Sequence, residues 1–172
     1  AMIISNKDLV SESPKPPAWI LGGAMRSEPT IYAGRDEVNP RAGRDCAKDV
    51  YAQAGISDPR RQFDCAEIYV PFSWYEPMWL ENVHLAGEHE GWKLTESGAT
   101  ALDGDLPINP SGGVMSSNPI GASGMLRFAE AARQVRGIAG DHQVDGAKLA
   151  MGHAYGGGSQ YFAMWLVGAE KP

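Results

Sequence analysis

The chain has 172 residues, enough for one domain with a full core. Its 21 acidic and 15 basic side chains leave a net charge of −6. With no offsetting run of Lys and Arg, that balance excludes a protein whose main work is coating nucleic-acid phosphates. Two cysteines, Cys46 and Cys65, without a CxxC pair exclude a disulfide framework and suit a reduced, cytoplasmic setting. No apolar run approaches the roughly 18 to 20 residues that cross a bilayer, and the first residues lack signal-peptide order, so no membrane partner is expected.

Residues 1–17 open on Met2-Ile3-Ile4 and close on Pro14-Lys15-Pro16-Pro17, a cluster that prevents regular structure and reads as a linker. Ala18 to Gly23 reads as a short buried strand ended by glycines. A helix is predicted over Pro40–Ala54, with Asn39 as cap and Gly55 past its last turn. Ala42, Cys46, Val50 and Ala54 line one face of it. Phe63–Tyr69 reads as a second strand, and Ser73–Leu85 as an aromatic-rich helix. That helix carries Trp74, Tyr75, Met78 and Trp79, at a spacing that suits plain core or the lining of a bulky apolar pocket.

Residues 86–117 hold no clear long element, which in a compact domain marks a functional loop or a misread one. Gly121–Arg136 is the strongest helical pattern. It puts Met125, Phe128, Ala129, Ala132 and Val135 on one face, with Arg127, Glu130, Arg133 and Gln134 largely elsewhere. Lys148–His153 and Gln160–Val167 are predicted strands, joined closely enough to pair antiparallel. The order calls for a layered α/β domain with a mixed sheet, its early strands parallel through right-handed crossovers.

Four clusters carry chemistry, all at element ends where one cleft can gather them. They are Tyr69-Val70-Pro71-Phe72, Asn109-Pro110-Ser111-Gly112-Gly113, Ser116 to Gly124, and Gly152-His153-Ala154-Tyr155-Gly156-Gly157-Gly158. Small residues ahead of a helix suit an oxyanion or phosphate, and equally a tight turn capped by Ser123. The final glycines suit a hairpin turn, or backbone N–H groups presented to a carbonyl oxygen. His153 reads as a structural imidazole or a base, and Tyr69 as packing or an acid. Nothing supports a metal site: His84 and His89 are not at ligand spacing with the cysteines. No P-loop lysine, GxGxxG fingerprint after a strand or GxSxG elbow occurs.

The run NPSGGVMSSNPIGASGM, residues 109 to 125, resembles the NPSGG-x-x-x-x-GHP-x-GA-[ST]-G stretch of the thiolases. FAEAARQVRG and GDHQVDGAKLAMGHAYGGG resemble the helix, loop and last hairpin that follow it. From about residue 18 onward the chain is similar to a thiolase C-terminal domain, nearest the sterol-carrier and lipid-transfer-protein branch. Residues 1–17 resemble the close of the N-terminal half and a linker. The resemblance implies a thiolase-like layered α/β fold, a mixed five-stranded sheet with helices on both faces, and association with an N-terminal half or as a homo-oligomer. It also implies that the nucleophilic cysteine lies on the other half, neither Cys46 nor Cys65 matching it.

Two departures stand out. Asn118 occupies the position of the family's GHP histidine, and an amide cannot take up a proton near neutral pH. Tyr69 replaces the residue that holds an oxyanion-hole water. The implied catalytic set is His153, Tyr69 and Asn118, with Ser111, Gly112, Gly113, Ser123, Tyr155, Gly156, Gly157 and Gly158 against the substrate. CoA enters as part of the substrate, and no cofactor is expected. Three readings follow: an acyltransferase on acyl-CoA thioesters of lipid or steroid metabolism; a retro-aldol lyase working with an OB-fold and zinc-ribbon partner; or a non-catalytic thiolase-like subunit.

Overall fold

The computed structural model describes residues 2–29 and 33–171. Four strands, β1 (Trp19–Ser27), β2 (Cys65–Ile68), β3 (Leu149–Gly156) and β4 (Tyr161–Gly168), form one sheet in the order β1-β4-β3-β2. β4 is antiparallel to both β1 and β3, while β3 and β2 are parallel. The expected hairpin is therefore present. β1 and β2 run in the same direction, but the hairpin separates them. Among the described residues the fifth strand implied by the resemblance is not formed. Its place beside β2 holds one parallel bridge, Ala66 to Ile108, with Ala66 N–H donating to Pro107 O and Asn109 N–H to Ala66 O. Pro107 has no N–H to continue the ladder, and Asn109 turns left-handed at φ 54°, so pairing stops after one residue.

Among the described residues there are six α-helices: α1 (Arg41–Ala54), α2 (Pro59–Gln62), α3 (Tyr75–Asn82), α4 (Gly91–Glu96), α5 (Gly113–Ser116) and α6 (Ser123–Val135). α4 and α5 are short helices within residues 86–117, the stretch read from sequence as holding no clear long element. Successive strand residues point to opposite faces, and the core divides accordingly. Met151, Met164, Ile68 and Phe162 pack with Cys46 and Val50 of α1 and Trp79 and Leu80 of α3. Ala150, Cys65 and Val167 pack with Phe128, Ala131 and Val135 of α6. Helices thus cover both faces, as expected. No helix among the described residues is long and apolar enough to cross a membrane.

Three local expectations change. β1 continues through Gly22 and Gly23 rather than ending there. A Cβ on Gly22 would lie 3.0 Å from Val50 O, so this glycine admits α1 against the strand. The Gln53 side-chain amide bonds both Gly23 N–H (3.0 Å) and Gly23 O (3.1 Å), satisfying part of an open sheet edge. α1 is preceded by Pro40 without a side-chain cap, because Asn39 accepts from Asn82 Nδ2 at 2.7 Å instead. The buried face of α6 carries Arg127 and Gln134, whereas Met125 is exposed.

Asn82, buried at the end of α3, also donates to Pro40 O at 3.0 Å. A Cβ on Gly43 would stand 1.9 Å from Asn82 Oδ1. Gly43→Ala gains roughly 1 kcal/mol of helix propensity but must displace Asn82 from two buried bonds. A net loss of about 2 kcal/mol is expected in urea unfolding, because overpacking outweighs propensity here.

Candidate active site

The parallel pair β2/β3, with Ile68 opposite His153, brings the C-terminal ends of both strands to one edge of the domain. Tyr69 follows β2 immediately, and its hydroxyl donates to Asn118 Oδ1 at 3.3 Å. Asn118 Oδ1 also accepts from Ser123 Oγ at 2.6 Å and Ile120 N–H at 3.3 Å. The carbonyl end of Asn118 is thus taken up, and its Nδ2 makes no bond to any described residue. Ser123 is not the helix cap but the first residue of α6, and its hydroxyl orients Asn118. The Tyr155 ring lies 5.2 Å from that of Tyr69, edge to face. It also packs on Tyr75 at 5.2 Å and Trp79 at 4.9 Å. An aromatic wall therefore continues outward through Trp74 and Phe72, whose rings stack 4.9 Å apart and are both exposed.

His153 sits behind this wall, fully buried between Trp79 and Phe162. Its Nδ1 accepts Tyr69 N–H at 3.4 Å, which leaves the proton on Nε2, where it finds no partner. Desolvation pushes its pKa down to about 3, so the ring is neutral near pH 7. The thiols are equally inert, since burial pushes both Cys46 and Cys65 up to about 12. Burial, and then the neighbouring Tyr75, raises the Tyr155 phenol above its ordinary value, so it stays protonated. Among the described residues no group of three or more His, Cys, Asp or Glu gathers as a metal site would require.

Each glycine-rich loop is held by a buried ion pair. Arg127 Nη1 donates to Glu67 Oε2 at 2.8 Å, with side chains 2% and 0% exposed. Ser111 donates to the same carboxylate, N–H to Oε1 at 3.0 Å and Oγ to Oε2 at 2.8 Å. Burial raises the Glu67 pKa, and Arg127 opposes the shift. Ser111 is therefore committed to anchoring its loop, with Gly112 left-handed at φ 83° ahead of α5 and Gly113 closed over Asn109. Gly157 and Gly158 form the β3–β4 turn at φ 62° and 60°, directly beyond Tyr155 and Gly156. Arg35 donates to the carbonyls of Gly158 and Ser159 and pairs with Glu28 at 2.5 Å.

The structure thus gathers Tyr69, Asn118, Ser123 and Tyr155 and withdraws His153 into the interior. Sequence reasoning missed Glu67 and Arg127. One signal was present: Glu67 is the only charge in the apolar strand Cys65–Ile68, and Arg127 stands one turn beyond Ser123.

The family profile described as "Thiolase C-terminal domain-like" matches residues 23–168. The chain belongs to that family. Among its thiolase relatives is the acetyl-CoA acetyltransferase of Methanothermobacter thermautotrophicus, 31% identical over 91% of this chain and 41% of that protein. Human sterol carrier protein 2 is 35% identical over 73% of this chain and 23% of its own length. A solved "Ltp2-ChsH2(DUF35) aldolase" is 25% identical and superposes with a TM-score of 0.80, over 92% of this chain and 41% of that one. A monomeric SCP2-thiolase like protein from Mycobacterium smegmatis, 18% identical with a TM-score of 0.61, shares the fold. This thiolase-family chain spans less than half the length of those relatives.

Two measurements test the buried groups. Arg127→Met strands the Glu67 carboxylate and is expected to cost about 3–5 kcal/mol in urea unfolding. For His153, the unfolded imidazole takes up a proton below its ordinary 6.5, whereas the buried one does so only near 3. Stability therefore falls as pH drops through 6.5 toward 3. Between pH 7 and 5 the wild type should lose about 2 kcal/mol more than His153→Phe.

Proposed function

We propose that this chain contributes the C-terminal domain of a carbon–carbon lyase that cleaves a β-hydroxyacyl-CoA thioester by a retro-aldol step. The observation that carries this reading is the Tyr69–Tyr155 pair at the site edge, with His153 sealed behind it and Asn118 where the thiolase histidine is expected. Thiolysis needs an imidazole and a thiol able to exchange protons with substrate. This chain offers phenols instead.

In the proposed reaction Tyr69 first releases its phenolic proton to solvent and then, as the phenolate, accepts the proton of the substrate β-hydroxyl. The bond between the α and β carbons breaks, and its electrons form the thioester enolate as the β carbon becomes a carbonyl. The protonated Tyr155 supplies a proton to the enolate carbon, and proton exchange with solvent restores the Tyr155 phenol. The Asn118 Nδ2 and the N–H groups of the glycine turn stabilise the enolate oxygen, where charge develops. The name of the aldolase that superposes at 0.80 supports the reaction class. On this reading the rest of the acyl-CoA site comes from an N-terminal thiolase half or a second copy. The OB-fold and zinc-ribbon partner belongs to the same reading. The acyltransferase reading retains one support, the thiolase names of relatives such as the Methanothermobacter enzyme. It requires the nucleophile and its base to come from another domain.

The test joins this chain to the remaining thiolase half and supplies a β-hydroxyacyl-CoA without free CoA. A new carbonyl product and a shortened acyl-CoA are expected by mass spectrometry. Tyr69→Phe and Tyr155→Phe should each lower kcat by about 10²–10⁴. Cleavage of a β-ketoacyl-CoA only when free CoA is added would overturn the lyase reading in favour of acyl transfer.

A further inference from the structure

The β3–β4 turn has an unusual backbone. Gly157, Gly158 and Ser159 are all left-handed, at φ 62°, 60° and 62°. Two glycines accept this conformation freely, but a buried serine does not adopt it without support. In a run of one helical hand the carbonyls leave one end of the turn and the N–H groups the other. The N–H groups of Gly157, Gly158 and Ser159 bond to no described residue. The carbonyls of Gly158 and Ser159 both receive Arg35, through Nη1 and Nη2.

Arg35 is itself fixed. Its Nε pairs with Glu28 Oε1 at 2.5 Å, the side chains being 2% and 7% exposed. Glu28 Oε2 accepts Ala42 N–H at 2.8 Å in the first turn of α1, and Glu28 N–H reaches Gln160 O at 3.1 Å. One guanidinium therefore joins the end of β1, the start of α1 and the hairpin turn. It occupies the carbonyl side of a turn whose N–H side no described residue claims.

We infer that Arg35 is a positioning residue: by holding the carbonyls of Gly158 and Ser159, it fixes the turn so that its N–H groups, bonded to no described residue, can receive the thioester oxygen of the substrate. The inference rests on the lyase reading for the identity of that oxygen, but the clamp itself is a property of this chain. A guanidinium suits the task because three nitrogens reach three acceptors from separate directions, which a single ammonium cannot do.

The test is Arg35→Lys, which keeps the cation beside Glu28 and so preserves the buried charge balance. Arg35→Met combined with Glu28→Gln, which removes both charges, serves as the second variant. The urea midpoint reports the fold, and ¹⁵N relaxation reports the turn. In folded Arg35→Lys, the order parameters of Gly157, Gly158 and Ser159 should fall from about 0.85 to below about 0.6. In the lyase assay kcat should fall about 10–100-fold with KM little changed, because the N–H groups act on charge that develops only in the transition state. A purely structural role would instead lower the urea midpoint and spare kcat per folded molecule. Unchanged order parameters and kcat in both variants would overturn the inference. Loss of turn order in a protein whose wild type cleaves no β-hydroxyacyl-CoA would sink the lyase reading and leave the clamp standing.

Discussion

The Glu67 carboxylate is buried in the layer between the sheet and α6, and the rest of the site depends on how it is satisfied. A buried carboxylate is tolerated only when paired and fully hydrogen-bonded. Here Arg127 approaches from α6, and Ser111 supplies its backbone N–H and its hydroxyl from the 109–113 loop. Three segments remote in sequence are thereby fixed relative to one another. Tyr69 lies two residues beyond Glu67, and Ser123 lies one helical turn before Arg127. The bond of Ser123 to Asn118, and of Asn118 to Tyr69, closes the circuit. The Tyr69–Asn118 geometry is therefore set by a charge pair that touches neither residue.

The sheet supplies the second constraint. Parallel pairing of β2 with β3 aligns their C-terminal ends, the usual location of sites in open α/β sheets. Because adjacent residues face opposite sides, Tyr69 approaches from the α6 side and Tyr155 from the side of α1 and α3, and their rings meet at the sheet end. His153 shares the parity of Tyr155 but lies one pleat deeper. It accepts the Tyr69 N–H that no strand neighbour takes, and it fills the space between Trp79 and Phe162. In this setting the imidazole extends the sheet's hydrogen bonding through a side chain.

Much of the architecture was legible locally. Apolar spacing placed α1, α6, β2, β3 and β4, and Gly55 marked the end of α1 at φ 69°. The motif around residues 109–125 identified the family that the profile match then established. Other readings failed where one neighbour decided the outcome. Gly22 and Gly23 looked like a strand end, yet they allow α1 to approach a strand that continues. Arg127 was placed off the apolar face of its helix, yet it is buried because Glu67 faces it across 60 positions of sequence.

By itself, then, the sequence determined the alternation of helix and strand, the helices on both faces, the hairpin and the thiolase ancestry. These are encoded in residue spacing and in motifs whose members are close along the chain. Tertiary structure alone decided that the fifth strand is reduced to one bridge, that His153 is sealed from solvent, and that Tyr69 and Tyr155 meet. It also decided that Glu28 and Glu67 hold the arginines that clamp the two glycine loops. The physical reason is common to all four: burial, protonation and hydrogen bonding depend on what a side chain faces, and only the folded chain supplies that partner.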